Sequence, residues 1–245
     1  MTIRVDLPTP ERVLAVGAHP DDIEFGCGGT LAKWADAGAE VHLFICTDGS
    51  KGTWDPDADL ATLAATREEE QLLAGKVLGV AGLRFLRQVD GELTNDEAAR
   101  SALALAIRDL RPDVVLSHDP WLPYRLHPDH QAAGHLAVHA IVAARDPHFF
   151  PEHGHAPHRP ATLLLFEPAR VDHLERVYDQ LDRKTDALLA HRSQWRSTMG
   201  IADGDDTRQR EQRRAFVTGV HDEARIAGLR GGLRAAEAFA RLDAL

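Results

Sequence analysis

Cysteine is scarce: Cys27 and Cys46 are the only two in 245 residues, and they make neither a CxxC pair nor a disulfide framework. This argues against a disulfide-stapled secreted scaffold and points to a reducing cytoplasm. Positive charge is short as well, with 28 Lys and Arg against 38 Asp and Glu and a net charge of −10. Nucleic acid and anionic membrane surfaces both need a basic footprint, so both are poor partners. No apolar run approaches the length of a membrane span. Residues 1–12 carry Asp6, Pro8 and Pro10 and lack the apolar core of a signal peptide. Internal repeats and a clean linker are missing too, so residues 1–245 are expected to form one domain, long enough to bury a substantial core.

What is present alternates. Val13–Ala18, Val41–Cys46, Leu83–Leu86, Val114–Ser117 and Thr162–Phe166 are short apolar runs that read as buried strands. Between them, Gly28–Ala37, Thr62–Leu78, Asp96–Leu110 and His127–Ala144 read as helices, several ended by Gly or by a following Pro. Strands of this kind alternating with helices predict an α/β, Rossmann-like three-layer fold: a mostly parallel sheet with helices on both faces. The polar stretch Gly49–Asp59 should be a loop on the carboxyl edge of that sheet. Arg145–Pro160, rich in His and Pro, reads as a long surface loop near the mouth of the site, bearing on substrate choice. Arg225–Leu245 reads as helical packing broken at Gly231-Gly232.

Two short motifs carry chemistry. The first is His19-Pro20-Asp21-Asp22, at the end of the first strand, where open α/β sheets bind ligands. His19 and Asp22 are good ligands for a hard or borderline metal, and Asp21 would stand beside the ion without ligand duty, as a general base does. The plain alternative is an Asp-rich turn capping the next helix. The second is His127-Pro128-Asp129-His130, reached through Ser117-His118-Asp119-Pro120, with histidines at i and i+3 able to share a face. Together the motifs supply a His/Asp/His ligand set, a spare carboxylate and a spare imidazole at one sheet edge. Three ligands and an open water position describe catalytic rather than structural zinc. Gly26-Cys27-Gly28-Gly29 imitates a dinucleotide loop, but His-Pro-Asp-Asp occupies the turn where that fingerprint needs glycine, so helix–strand packing is the expected role.

On these residues the chain resembles the LmbE-like, or PIG-L, zinc-dependent deacetylases. Supporting pieces are Arg67-Glu68-Glu69-Glu70, Asp90-Gly91-Glu92-Leu93 and His191-Arg192-Ser193-Gln194. The resemblance implies that His19, Asp22 and His130 bind Zn²⁺, or Fe²⁺, which the same ligands suit. It implies Asp21 as general base and His127 as the group that meets the oxyanion and helps the amine leave. Asp129 would orient His127 and favour its charged form, and Arg67 and Asp90 would hold the substrate. Some members place a mobile tyrosine two residues before the first histidine of the second motif. Here Tyr124 lies three before, so it is left out of the catalytic set. The expected activity is removal of an N-acyl group, most simply acetyl, from an amino-sugar-like small molecule. On the same scaffold the family also contains a hydratase of unsaturated dicarboxylates and tailoring deacylases of antibiotics. The reading leaves homo-oligomerisation open.

Overall fold

The computed structural model describes residues 3–204 and 207–245. Eight strands form one sheet in the order β1-β7-β8-β6-β5-β2-β3-β4. They are β1 (Arg4–Val5), β2 (Arg12–Gly17), β3 (Glu40–Thr47), β4 (Gly82–Gln88), β5 (Val114–His118), β6 (Thr162–Phe166), β7 (His173–Arg176) and β8 (Ala236–Asp243). All pairings are parallel except those of β8, which runs antiparallel between β6 and β7. Among the described residues the six α-helices are α1 (Asp22–Asp36), α2 (Leu60–Leu78), α3 (Glu97–Leu110), α4 (Pro128–Arg145), α5 (Leu181–Ala190) and α6 (Thr207–Leu229).

Strand alternation splits the core into two layers. Leu14, Val16, Val115, Leu163 and Leu165 face one side, under Leu103 and Ile107 of α3 and Leu136 and Ala140 of α4. Val13, Ala15, Leu43, Leu116, Leu164 and Phe166 face the other, under Ile23, Leu31 and Trp34 of α1. Helices α2 and α5 then close over α1 through Ala74, Leu78 and Ala187. Both faces of the central strands are thus buried, as their unbroken apolar character requires.

Three expectations need correction. The first helix begins at Asp22, inside the motif, and only its second part starts near Gly28, because Cys27 breaks the helical geometry at φ −151° and ψ 17°. The C-terminal segment is not all helix. After α6 the chain turns through Gly232 (φ 70°) and enters the sheet as β8. Its alanines favour helix, but sheet pairing on both sides and the burial of Ala236 and Phe239 override that local preference. Finally, Arg145–Pro160 lies at the other end of the sheet from the two motifs. His158 Nε2 donates to the Pro112 carbonyl oxygen at 2.7 Å, and His153 meets Ser101. Buried Arg108 of α3 gathers the carbonyls of Ala143, Ala144, Asp146, Phe149 and Phe150, fixing this segment beyond the C-terminal end of α4. None of its residues lines the cavity at the motifs.

Candidate active site

The carboxyl ends of β2 and β5 deliver the two motifs to one place. Gly17 ends β2, and His19–Asp22 turn directly into α1. After β5 the chain leaves the sheet, returns as α4 with Pro128 in its first turn, and starts that helix with His127 as cap. Gly134 lets α4 lie this close: a Cβ there would stand 2.6 Å from the His118 carbonyl oxygen and 2.9 Å from the Pro120 nitrogen. A cavity of about 530 Å³ opens at the junction, lined among others by His19, Asp21, Asp22, Arg67, Asp90, His118, His127 and His130.

The contacts sort these residues by what each can do. His19 Nδ1 is 3.2 Å from Asp22 Oδ2, and His130 Nε2 is 3.3 Å from Asp22 Oδ1. Two imidazole nitrogens therefore flank one carboxylate. On the far side of the His19 ring, Nε2 faces Asp90 Oδ1 at 3.1 Å and Asp129 Oδ2 at 3.2 Å. Burial lowers the His19 pKa, but Asp22, Asp129 and Asp90 overcome it and hold the ring well above the ordinary histidine value. With Nε2–H donated to a carboxylate, Nδ1 would be the atom turned to a metal beside Asp22, the arrangement that orients a metal-binding histidine. The His and Asp donors at this junction could hold a divalent metal, although His19, Asp22 and His130 do not all fall in one of the close groups they form. Three overlapping groups of His and Asp donor atoms lie within 4.8 Å of one another: His19/His127/His130, Asp22/His118/His130 and His19/Asp90/Asp129.

The structure brings His19, Asp21, Asp22, Arg67, Asp90, His127, Asp129 and His130 into one neighbourhood, but several partners differ from those expected. Asp129 is directed at His19 and at the backbone N–H groups of Gly91 (2.6 Å) and Leu93 (3.2 Å), while the His127 ring takes its hydrogen bond from the Asp129 backbone N–H. Because His127 Nδ1 accepts that bond at 3.3 Å, its Nε2 bears the proton when the ring is neutral. Burial and the neighbouring His19 and His130 hold its pKa below the ordinary histidine value, with Asp129 and Asp90 pulling the other way. Asp90 contacts His19 and accepts from the Lys51 backbone, and Arg67 donates to the carbonyls of Gly49 and Pro20 and to Asp21 Oδ2 at 3.3 Å. Both are occupied by protein groups as well as lining the cavity.

The two adjacent aspartates are electrostatic opposites. Burial raises the Asp21 pKa to about 6; Arg67 opposes this and Asp22 reinforces it. Burial acts on Asp22 too, but His130, His118 and His19 overcome it and hold that carboxyl well below the usual range. Asp22 is thus the fixed anion of the cluster, and Asp21 the carboxylate held apart from it.

A family model described as GlcNAc-PI de-N-acetylase, or PIG-L, matches residues 14–141, just over half of the chain. The chain belongs to the PIG-L family. It is 35% identical over 188 residues to the diacetylchitobiose deacetylase of Thermococcus kodakarensis, covering 76% of this chain and 70% of that one. It is also 38% identical over 176 residues to the 1D-myo-inositol 2-acetamido-2-deoxy-α-D-glucopyranoside deacetylase of Streptomyces avermitilis, covering 61% of this chain and 58% of the relative. Among solved structures, the inhibitor complex of N,N′-diacetylchitobiose deacetylase from Pyrococcus horikoshii superposes with a TM-score of 0.83 at 30% identity, over 96% of this chain and 84% of that one. The α/β three-layer architecture of the family is therefore this chain's fold.

The motifs did not single out His118. It is 1% exposed at the end of β5, with Nε2 3.2 Å from Asp22 Oδ2 and its ring stacked on His130 at 4.3 Å. Its signal was a polar residue ending an otherwise buried apolar strand. Arg125 was missed as well. Its Nη1 contacts His130 Nδ1 at 3.0 Å and Glu167 Oε2 at 2.8 Å, and nothing in its local sequence announces that.

Proposed function

We propose that this protein is a metal-dependent N-deacetylase of a 2-acetamido sugar or its glycoside, with N,N′-diacetylchitobiose as the model substrate. The observation that carries the reading is the pairing of His19 Nδ1 and His130 Nε2 around Asp22, with Asp21 adjacent and outside that pairing. His19, Asp22 and His130 would hold the ion, zinc or iron(II), and Asp90 and Asp129 would orient His19. A divalent ion held there supplies Lewis acidity toward a water and an amide carbonyl.

The chain's own residues supply the proton traffic. Asp21 takes a proton from the attacking water onto a carboxylate oxygen. His127, with its proton on Nε2, offers a hydrogen bond to the carbonyl oxygen as negative charge develops there. Asp21 returns its proton to the amide nitrogen, the C–N bond breaks, and acetate and the free amine leave. Arg67, bonded to Asp21 and to the Pro20 carbonyl, holds the base in place through this cycle. The carboxylate-rich lining suits a neutral sugar: Arg67 is committed to protein partners, and Lys51 pairs with Glu92 at 2.8 Å.

Metal-loaded protein incubated with N,N′-diacetylchitobiose should release acetate and primary amine in equal amounts. Exhaustive chelation should abolish the release, and added Zn²⁺ or Fe²⁺ should restore it. Full activity in chelated, metal-free protein would overturn the mechanism.

A further inference from the structure

Asp21 stands in a backbone conformation that L-residues rarely adopt. Its φ is 103° and ψ −26°, on the side of backbone space where an L side chain is strained, and no side chain caps α1 there. Such strain persists only where the surroundings dictate it. What dictates it lies behind the site, on the helices of one layer.

The Asp21 backbone N–H donates to Gln71 Oε1 of α2 at 3.1 Å. Gln71 Nε2 in turn donates to Glu24 Oε1 of α1 at 2.6 Å. The other Glu24 oxygen lies 3.7 Å from Nε2 of His191, just after α5. Gln71, Glu24 and His191 are completely buried, and none of them lines the cavity. The amide orientation is unambiguous, because an N–H on one side demands the oxygen and a carboxylate on the other demands the NH₂. Helices α1 and α2 are thus tied through one glutamine to a single backbone N–H, and that N–H belongs to the residue assigned as base.

We infer that Gln71 is a positioning residue for Asp21, locked in turn by the buried Glu24. It fixes the strained Asp21 backbone so that the carboxylate faces the cavity instead of rotating away from it. The inference rests on the reading of Asp21 as general base, and it extends that reading to groups that touch neither substrate nor metal.

The test uses metal-loaded protein and N,N′-diacetylchitobiose. Gln71→Met keeps the volume and removes both hydrogen bonds. It should lower kcat about 10- to 100-fold, the scale of a small misplacement of a reacting group, while KM and metal per chain stay at wild-type values. Glu24→Gln retains an oxygen to accept from Gln71 and should keep most of kcat, whereas Glu24→Leu should fall as Gln71→Met does. If both act through one N–H, the Gln71→Met/Glu24→Leu double variant should be no slower than the worse single. Wild-type kcat in Gln71→Met, multiplying losses in the double variant, or a loss traced to missing metal would overturn the role of Gln71. If Gln71→Met does not fold, equal rates for Glu24→Gln and Glu24→Leu overturn it instead. Asp21→Asn is the control. Wild-type kcat in that variant overturns the base assignment itself and the inference with it, whereas an inactive Asp21→Asn beside an unaffected Gln71→Met removes only Gln71.

Discussion

The two histidine–aspartate motifs look alike in the sequence and are held very differently. His19–Asp22 is sunk between β2 and α1, with His19 and Asp21 only 6% and 5% exposed, and Arg67, Gln71, Asp90 and Asp129 bind it from four directions. His127–His130 begins a helix after a solvent-facing loop in which Tyr124 is 97% and Leu126 96% exposed; His127 itself is exposed. Asp129 is the exception, buried because it reaches across to His19 and to the backbone after β4. The first motif therefore fixes the position of the centre, and the second docks onto it through one carboxylate and His130. Loss of Asp21 or Asp22 should disable the centre, whereas loss of the bridging Asp129 should only loosen it.

The largest effects belong to the first motif, and they should separate its two aspartates. Asp22→Asn should lose the metal, because the residue between His19 and His130 is no longer an anion. Metal affinity should fall by more than about 100-fold, the upper end seen when only an outer partner of a ligand is lost. Excess zinc should recover part of the activity. Asp21→Asn should keep wild-type metal content and lose about 10²–10⁴ in kcat, with no recovery on adding metal. Elemental analysis beside steady-state kinetics reads both. Equal metal loss in the two variants would dissolve the distinction between ligand and base.

A smaller effect joins the motifs. Asp129→Asn removes a charged acceptor from His19 Nε2 while Asp90 remains at 3.1 Å. Metal affinity should fall about 10-fold, the lower end for an outer partner. His127, whose ring contacts the Asp129 backbone and not its carboxylate, should keep its function. Competition against a chelator measures the first effect, and kcat at saturating metal measures the second. A kcat loss at saturating metal equal to that of His127→Ala would show that Asp129 acts through His127 after all.

The difference between the motifs also explains how much could be read without a structure. The central strands and their helices were legible because each strand is an apolar run buried on both faces, as Leu14 and Val13 show by pointing into opposite layers. The first motif was legible because its residues are consecutive at a strand end. Strand β8 was not, since an alanine-rich segment carries helix preference locally and only the gap between β6 and β7 turns it into a strand. The partners of His19 were hidden for a related reason. Asp90 and Asp129 are about 70 and 110 residues away in the chain, and nothing near either one says that both accept from the same nitrogen. Burial that depends on distant segments leaves no periodic trace.

The smallest effect is expected where the second motif is most exposed. Tyr124 has a positive φ of 61° and an almost wholly exposed side chain, so its ring contributes little packing, and its backbone is mildly strained. Tyr124→Gly trades two opposing terms. Glycine relieves the positive φ but adds flexibility to the unfolded chain, at about 0.5–1 kcal/mol. The net change in stability should stay within about 0.5 kcal/mol, the usual range for a surface substitution, and metal content should not move. Because the Tyr124 ring lies outside the cavity lining, kcat on N,N′-diacetylchitobiose should also stay within a factor of two or so of wild type. Thermal unfolding and steady-state kinetics on the same preparation decide the matter. A tenfold loss of kcat without destabilisation would mean that the loop before His127 folds over the substrate during turnover. The second motif would then be a moving part of the site, and its exposure here would describe the open form.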